Sequence, residues 1–149
     1  MIYESILDLI GNTPIIKLKQ IFDDNDIADI YVKLEFFNLG GSVKDRAALG
    51  IIEQAEKDGK LKPGGTIIEP TSGNMGISLA IIGRIKGYKT VIVMPDTMSI
   101  ERRSILKALG AELILTDGAQ SMKGAFEKAE TLANRHRNYF MAQQFDNLA

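Results

Sequence analysis

One lysine, Lys44, comes directly after a glycine-rich turn in the pattern Gly-Gly-Ser-Val-Lys-Asp-Arg. The pattern predicts that this lysine lies in the first turn of a helix. A lysine amine becomes a nucleophile only where desolvation or a nearby positive charge favours its neutral form, and the unpaired N–H groups of a helix N-terminus supply a partial positive charge. The chemistry that most often requires such a lysine is Schiff-base formation with pyridoxal phosphate or with a carbonyl substrate.

Two other interpretations of Lys44 compete with the catalytic one. The first is a solvated lysine near a helix start, which is the usual role of lysine in such a context. The second is a phosphate-binding Walker loop, which requires Gly-x-x-x-x-Gly-Lys-Ser/Thr. Asp45 stands where that loop needs a hydroxyl to hold magnesium, so the sequence does not predict nucleotide hydrolysis.

A second polar segment, Thr71-Ser72-Gly73-Asn74-Met75-Gly76, follows a predicted strand and opens a predicted helix. Its hydroxyls, its amide and the free N–H groups of the helix start would converge on one spot, which makes an anion site suited to a carboxylate. We expect Gly73 and Gly76 to let a ligand approach the backbone. The alternative is that Thr71, Ser72 or Asn74 is only a helix N-cap.

These two segments are placed by a regular alternation of strands and helices. After a short amphipathic turn at 4–10, the pattern predicts strands at 15–18, 29–35, 66–69, 90–94, 112–115 and 139–142. It predicts helices from about 43 to 58, and at 75–86, 100–109 and 121–135. Such alternation predicts an α/β fold with an open, mainly parallel sheet covered by helices on both faces. Ligands of such sheets bind at the carboxyl ends of the strands, where both polar segments lie.

Composition excludes several classes of function. The chain has 149 residues, of which 45% are hydrophobic and 25% charged, as is typical of a globular protein with a core. Its net charge of −1 leaves no basic face for nucleic acid, and its lack of cysteine excludes disulfides, zinc thiolates and a cysteine nucleophile. Without a signal peptide or an apolar run long enough for a membrane span, the expected location is cytoplasmic. The acidic run at 23–26 is interpreted as a surface loop, and no metal site is predicted.

The lysine segment and the Pro-Thr-Ser-Gly-Asn-Met-Gly segment together closely resemble the cysteine synthase family. These enzymes are O-acetylserine sulfhydrylases of fold type II among the pyridoxal-phosphate enzymes. Further segments look like family segments in family order, namely Gly11-Asn12-Thr13-Pro14, residues 62–70, residues 93–103 and Gln143-Gln144-Phe145. The resemblance implies the tryptophan synthase β-like fold and pyridoxal 5'-phosphate as cofactor.

By this resemblance, Lys44 forms the Schiff base with the cofactor and later takes the substrate α-proton. Asn74 would hydrogen-bond the cofactor ring. The substrate α-carboxylate would be bound by Thr71, Ser72, Gly73 and Asn74, together with Met75 at the loop end and Gln144. The implied reaction is β-replacement through an α-aminoacrylate, in which O-acetyl-L-serine and sulfide give cysteine and acetate. The small-molecule partners would be an amino acid and sulfide or a thiol.

Two positions depart from the family pattern. Met75 stands where the family usually has Thr, and Leu39 stands where cysteine synthases usually have Pro. Because position 75 lacks the hydroxyl that could contact the substrate, reactions on substrates other than O-acetylserine remain alternatives. The alternatives are a cystathionine β-synthase-like reaction and a cysteine-consuming, sulfide-releasing β-replacement.

The resemblance also covers only the N-terminal half of a family member. It implies an N-terminal arm at 1–36 that packs on a second domain, and an α/β domain at 37–149 with the lysine and the carboxylate loop. The C-terminal domain would be absent, so we expect these 149 residues alone to bind the cofactor poorly and to be inactive. The family also implies a homodimer and binding of the serine acetyltransferase C-terminal peptide in the cleft. A non-catalytic fragment or homologue that binds this peptide is the third alternative.

Overall fold

The predicted alternation of strands and helices is present in the computed structural model, which describes residues 2–18 and 28–149. The acidic run at 23–26 lies outside the described residues. The helices are α1 (Lys44–Lys57), α2 (Asn74–Ile85), α3 (Ile100–Ala108) and α4 (Ser121–Arg135). The strands are β1 (Ile15–Lys17), β2 (Tyr31–Lys33), β3 (Thr66–Pro70), β4 (Lys89–Pro95), β5 (Glu112–Thr116) and β6 (Tyr139–Met141).

The main sheet has the strand order β5-β4-β3-β6, and all of its pairs are parallel. Neighbouring residues on a strand face opposite sides, so Ile67 packs against α1 and α2 while Ile68 packs against α4. On β4, Ile92 faces α2 and α3, and Val91 faces α4. Helices therefore cover both faces, which confirms the predicted α/β class and explains why β3 and β4 are apolar along their length.

A separate two-stranded sheet is formed by β1 and β2, which pair antiparallel with Ile15 opposite Lys33. The strand predicted over 29–35 is shorter than expected, because the chain turns into a 3-10 helix at Glu35–Phe37. The Glu35 carboxylate turns towards Arg46 on α1, and this pairing overrides the alternating pattern. The division into an arm at 1–36 and a domain at 37–149 stays a prediction.

Helix α1 begins at Lys44, as the glycine-rich turn predicted, and is capped at Asp58. Gly59 follows with φ +71°, a left-handed conformation that glycine adopts without a steric penalty. The inner face of α1 includes Ala48 and Ile52, both fully buried. Burying one such isoleucine contributes about 1.5–3 kcal/mol, so packing rather than intrinsic propensity fixes this helix on the sheet.

Within the described part of the chain, no helix is both long and apolar enough to cross a membrane.

Candidate active site

A cleft of about 420 Å³ lies at the carboxyl end of β3, between the start of α1 and the start of α2. This is the edge of a parallel sheet at which ligands are expected. The cleft brings together every site residue that was predicted from the sequence, namely Lys44, Thr71, Ser72, Gly73, Asn74, Met75 and Gln144.

Lys44 is held by the turn that precedes it. Gly41 has φ +78°, which lets the chain reverse just before the helix. The Lys44 backbone N–H donates to the Ser42 hydroxyl (3.2 Å), which satisfies one of the donors that a helix start leaves unpaired. The Lys44 side chain is half-buried at the cleft, so its amine can meet a ligand there.

Asp45, the next residue, fastens the lysine turn to α2. Its side chain is 1% exposed, and its carboxylate accepts hydrogen bonds from the Gly40 backbone N–H and from the Ser78 hydroxyl, each at 2.5 Å. A Cβ added at Gly40 would lie 2.5 Å from Oδ1 of Asp45, so a side chain at position 40 would collide with the carboxylate. Because Ser78 lies on α2, one carboxylate fixes the lysine turn relative to the helix that starts at Asn74.

A second carboxylate ties the N-terminal segment to α1. The Arg46 guanidinium donates to both carboxylate oxygens of Glu35 (2.9 and 3.0 Å) and to the Gly11 carbonyl (2.7 Å). The hydrogen bond from Arg46, opposed by desolvation and helped by bonds from Thr13 and Asn38, lowers the pKa of Glu35 to about 2. The same pairing raises the pKa of Arg46. The glycine-rich turn is therefore fixed to α2 through Asp45 and to the N-terminal segment through Arg46.

The second polar loop has a geometry that the N-cap interpretation does not explain. The N-cap of α2 is Gly73, and no side chain caps the helix, so the interpretation of Thr71, Ser72 or Asn74 as the N-cap is wrong. The Thr71 hydroxyl instead accepts from the Gly73 N–H (3.2 Å) within the loop. Among the described residues, no acceptor meets the backbone N–H of Ser72, Asn74 or Met75. These donors are available to an anion at the cleft.

Two residues of this loop have roles that differ from those expected. Gly76 is buried, and a Cβ there would lie 3.1 Å from Thr71 Cγ2 and 3.6 Å from Ile92. The expectation that Gly76 admits a ligand is wrong, because this glycine lets α2 approach the sheet. The Met75 side chain is 1% exposed and packs in the core with α1 residues such as Ile52. Its predicted contact with the substrate stays a prediction.

Gln144 reaches the cleft from the segment that follows β6. Its backbone N–H and that of Gln143 donate to the carboxylate of Glu69, at 3.2 and 2.8 Å. Burial raises the pKa of Glu69, while hydrogen bonds from the backbone of Gln144 and Gln143 and from the Gln144 side chain act in the opposite direction. Glu69 therefore anchors this segment to the end of β3.

Sequence reasoning missed several residues around the cleft. Arg102 on α3 donates to the backbone carbonyl of Ser72 and so supports the second loop from outside. The remaining lining residues are Ser42, Val43, Pro70, Met122 and Phe145. The place of Phe145 shortly after a predicted strand could have indicated that it lies near the cleft. Nothing in the sequence shows that α3 or α4 contacts the loop from Thr71 to Asn74. In the described ranges, no group of three or more His, Cys, Asp or Glu side chains could hold a metal ion.

Comparison with known proteins gives matches along nearly the whole chain. The family model for pyridoxal-phosphate dependent enzymes matches residues 6–149. A cysteine synthase of Staphylococcus aureus is 59% identical over 146 residues, which are 98% of this chain and 46% of that protein. Among solved structures, a cysteine synthase of Entamoeba histolytica has a TM-score of 0.92 at 49% identity, covering 99% of this chain and 45% of its own.

A hydrogen sulfide-producing enzyme of Fusobacterium nucleatum has a TM-score of 0.89 at 52% identity, and the match covers 99% of this chain and 47% of that structure. The chain therefore spans about half the length of the relatives that it matches.

Proposed function

The chain belongs to the family of pyridoxal-phosphate-dependent enzymes, and on that premise we propose that the protein makes cysteine from O-acetyl-L-serine and sulfide. The resemblance to cysteine synthases seen in the sequence is confirmed by the matches, and so is fold type II. The observation that carries the proposal is that Lys44 and the loop from Thr71 to Asn74 line one cleft.

The side chains of the cleft fit the cofactor and an amino acid together. A half-buried amine at Lys44 suits an aldehyde, and unpaired N–H donors at the start of α2 suit a carboxylate. When bound, pyridoxal phosphate withdraws electrons from the substrate α-carbon, which makes the α-proton acidic and lets the β-substituent leave. Lys44 would hold the cofactor through Nζ and would then remove the α-proton with the same atom.

The loop would hold the substrate for this chemistry. Backbone N–H groups of Ser72 and Asn74 would bind the α-carboxylate with the Thr71 hydroxyl, and Gln144, which also lines the cleft, would help to bind it. The Asn74 side chain is exposed at the cleft, where it would orient the cofactor ring. In the overall reaction the β-carbon loses its bond to the acetate oxygen and gains a bond to sulfur, and Lys44 returns the proton to the α-carbon.

The test is the K44A variant of the polypeptide that carries these residues, at its natural length. We expect the visible absorption band of the bound cofactor and the formation of cysteine to be lost, because Lys44 alone offers an amine among the described residues that line the cleft. The matched control is K57A, which removes a lysine from the opposite end of the same helix and should keep both signals. A K44A protein that still makes cysteine would contradict the proposal.

A second candidate reaction consumes cysteine and releases sulfide. It is favoured by the relative from Fusobacterium nucleatum, a hydrogen sulfide-producing enzyme that is 52% identical. The two reactions share the α-proton step and differ in which group leaves the β-carbon. Incubation with cysteine and a thiol, with sulfide measured, separates them: sulfide release without acetate release from O-acetylserine identifies the second reaction.

We also propose that the cleft binds the C-terminal peptide of serine acetyltransferase and that the protein is a homodimer. The peptide ends in a carboxylate, which would accept hydrogen bonds from the N–H donors of the second loop as the substrate carboxylate would. Titration with that peptide, and the same peptide with an amidated C-terminus as a control, tests the first point. Mass measurement by light scattering tests the second.

A further inference from the structure

Glu69 occupies an unusual place at the end of the central strand β3. It lies immediately before the segment Pro70 to Asn74 that lines the cleft, yet only 2% of its side chain is exposed. Its carboxylate accepts the backbone N–H of Gln143 at 2.8 Å and that of Gln144 at 3.2 Å. The partners are separated by 74 and 75 positions in the sequence, so this contact joins two distant segments.

A buried carboxylate is a costly way to fill this position. Removing a charge from water destabilises the folded state unless hydrogen bonds replace the lost solvation, and the raised pKa of Glu69 shows that burial outweighs the bonds it receives. A neutral side chain of the same shape would carry no such cost. The carboxylate has one property that an amide lacks, which is that both of its oxygens accept hydrogen bonds.

The segment that Glu69 holds has a conformation that needs support. Gln143 has φ 52°, in the left-handed region that residues other than glycine seldom adopt. The Gln143 carbonyl accepts from the N–H groups of Asp146 and Asn147, which closes a tight turn. With the Gln143 and Gln144 N–H groups fixed on Glu69, the turn places Gln144 at the cleft that contains Lys44, where the Gln144 side chain also hydrogen-bonds Glu69 and would turn to a bound substrate.

We propose that Glu69 is a positioning residue, whose two carboxylate oxygens fix the Gln143–Gln144 turn so that Gln144 meets the α-carboxylate of an amino-acid substrate. This role rests on the proposed function, because it takes the cleft to be the amino-acid site. Glu69 itself does not line that cleft.

The E69Q variant tests the role. The introduced amide keeps one acceptor oxygen but places an NH₂ group against one of the two backbone N–H donors, so one hydrogen bond is lost. L-Alanine serves as the probe, because it carries the α-carboxylate but has no leaving group, and its binding to the cofactor-loaded, natural-length protein is measured by calorimetric titration. We expect E69Q to bind L-alanine about ten- to a hundredfold more weakly, because the misplaced Gln144 loses its hydrogen bond to the charged α-carboxylate.

Three further measurements separate positioning from a general structural role. Q144A should weaken binding by a similar factor, and the E69Q/Q144A double variant should bind no more weakly than Q144A alone, because Glu69 acts through Gln144. The amides of Gln143 and Gln144 should exchange hydrogen faster in E69Q. The thermal midpoint of E69Q should stay close to that of the wild type, because removal of a buried charge offsets the lost hydrogen bond.

The matched control is E56Q, which changes a carboxylate that is bound to Lys86 and Tyr88, away from the cleft. E56Q should bind L-alanine like the wild type. E69D, which keeps the charge but shortens the side chain, provides a second test if E69Q does not fold, and should show weaker binding with the same dependence on Gln144.

The outcomes distinguish this inference from the proposed function. Additive effects of E69Q and Q144A, or unchanged L-alanine binding by E69Q in a protein that makes cysteine, would overturn the positioning role alone. A wild-type protein that binds L-alanine in a manner dependent on Glu69 but forms no cysteine would overturn the proposed reaction and leave the positioning role intact.

Discussion

The Asp45 carboxylate offers the sharpest test of how the cleft is built. It is 1% exposed and holds the Gly40 N–H and the Ser78 hydroxyl at 2.5 Å each. The D45A variant removes both acceptors and leaves a donor of the lysine turn without a partner. The D45N variant keeps the shape and one acceptor oxygen.

The expected cost follows from these contacts. A hydrogen bond to a charged group contributes about 1.5–3 kcal/mol, and a buried donor left unpaired costs about 1–3 kcal/mol. After D45A the Ser78 hydroxyl can still donate to the Asn74 carbonyl, at 3.1 Å, whereas the Gly40 N–H has no other acceptor among the described residues. We therefore expect D45A to lower the free energy of unfolding by about 3–5 kcal/mol. In D45N the new amide can donate to the Ser78 oxygen, and the cost should be about 1 kcal/mol.

Urea unfolding followed by far-ultraviolet circular dichroism measures both variants. With a slope of about 2 kcal/mol per molar urea, D45A should move the midpoint down by about 1.5–2.5 M and D45N by about 0.5 M. S78A is the companion variant, because it deletes one bond and leaves the other, and should fall between them. If D45N costs as much as D45A, then the charge and not the pair of hydrogen bonds holds the turn, and the reasoning fails.

Two further predictions concern acid stability and glycine positions. The Glu35 pKa is lowered from 4.5 to about 2, so its pairing with Arg46 stabilises the protein above pH 4.5, and this contribution is lost as the pH falls towards 2. The stability difference between wild type and E35Q should therefore shrink across that range in acid titrations; a constant difference would contradict the pairing. In thermal unfolding, G50A should stabilise α1 by about 1 kcal/mol, since no atom of the described residues lies within 4 Å of the added Cβ. G83A should lower the free energy of unfolding by about 1–3 kcal/mol, because its Cβ would lie 2.5 Å from Thr90 Oγ1. If G50A and G83A shift the thermal midpoint in the same direction, this explanation is refuted.

The regular elements of the fold could be predicted because their signals are local. Helix α4 has the predicted bounds, Ser121–Arg135, and β3 and β4 differ from the prediction by one residue at their ends. Apolar runs bounded by glycine and proline turns define such strands without reference to the rest of the chain. The 3-10 helices at Glu35–Phe37 and Gly118–Gln120 were not predicted, because a single turn is too short to show a period.

The cleft could be predicted in part for the same reason. Lys44 and the loop from Thr71 to Asn74 follow strand or turn signals and carry reactive groups, so their types and order indicate a site. The role of Gly76 could not be predicted, because a glycine that makes room for a ligand and one that lets a helix pack closely on a strand look the same in sequence. Glu69 was also missed, since its partners lie more than 70 positions away and only the parallel pairing of β3 with β6 brings them together.

Three carboxylates, Glu35, Asp45 and Glu69, share the task of fixing the walls of the cleft. Each accepts hydrogen bonds from another element of the fold: Glu35 from Arg46, Asp45 from Ser78, and Glu69 from the Gln143–Gln144 turn. The core of isoleucine, valine and leucine orients the sheet and helices, whereas the loop residues Gly40, Gln143 and Gln144 are held by hydrogen bonds to carboxylates. Hydrogen bonds are directional where apolar contacts are not, so the polar loops take their geometry from the carboxylates. Changes at these positions should therefore alter ligand binding at the cleft as well as stability, whereas changes at core positions such as Ile92 should act on stability first.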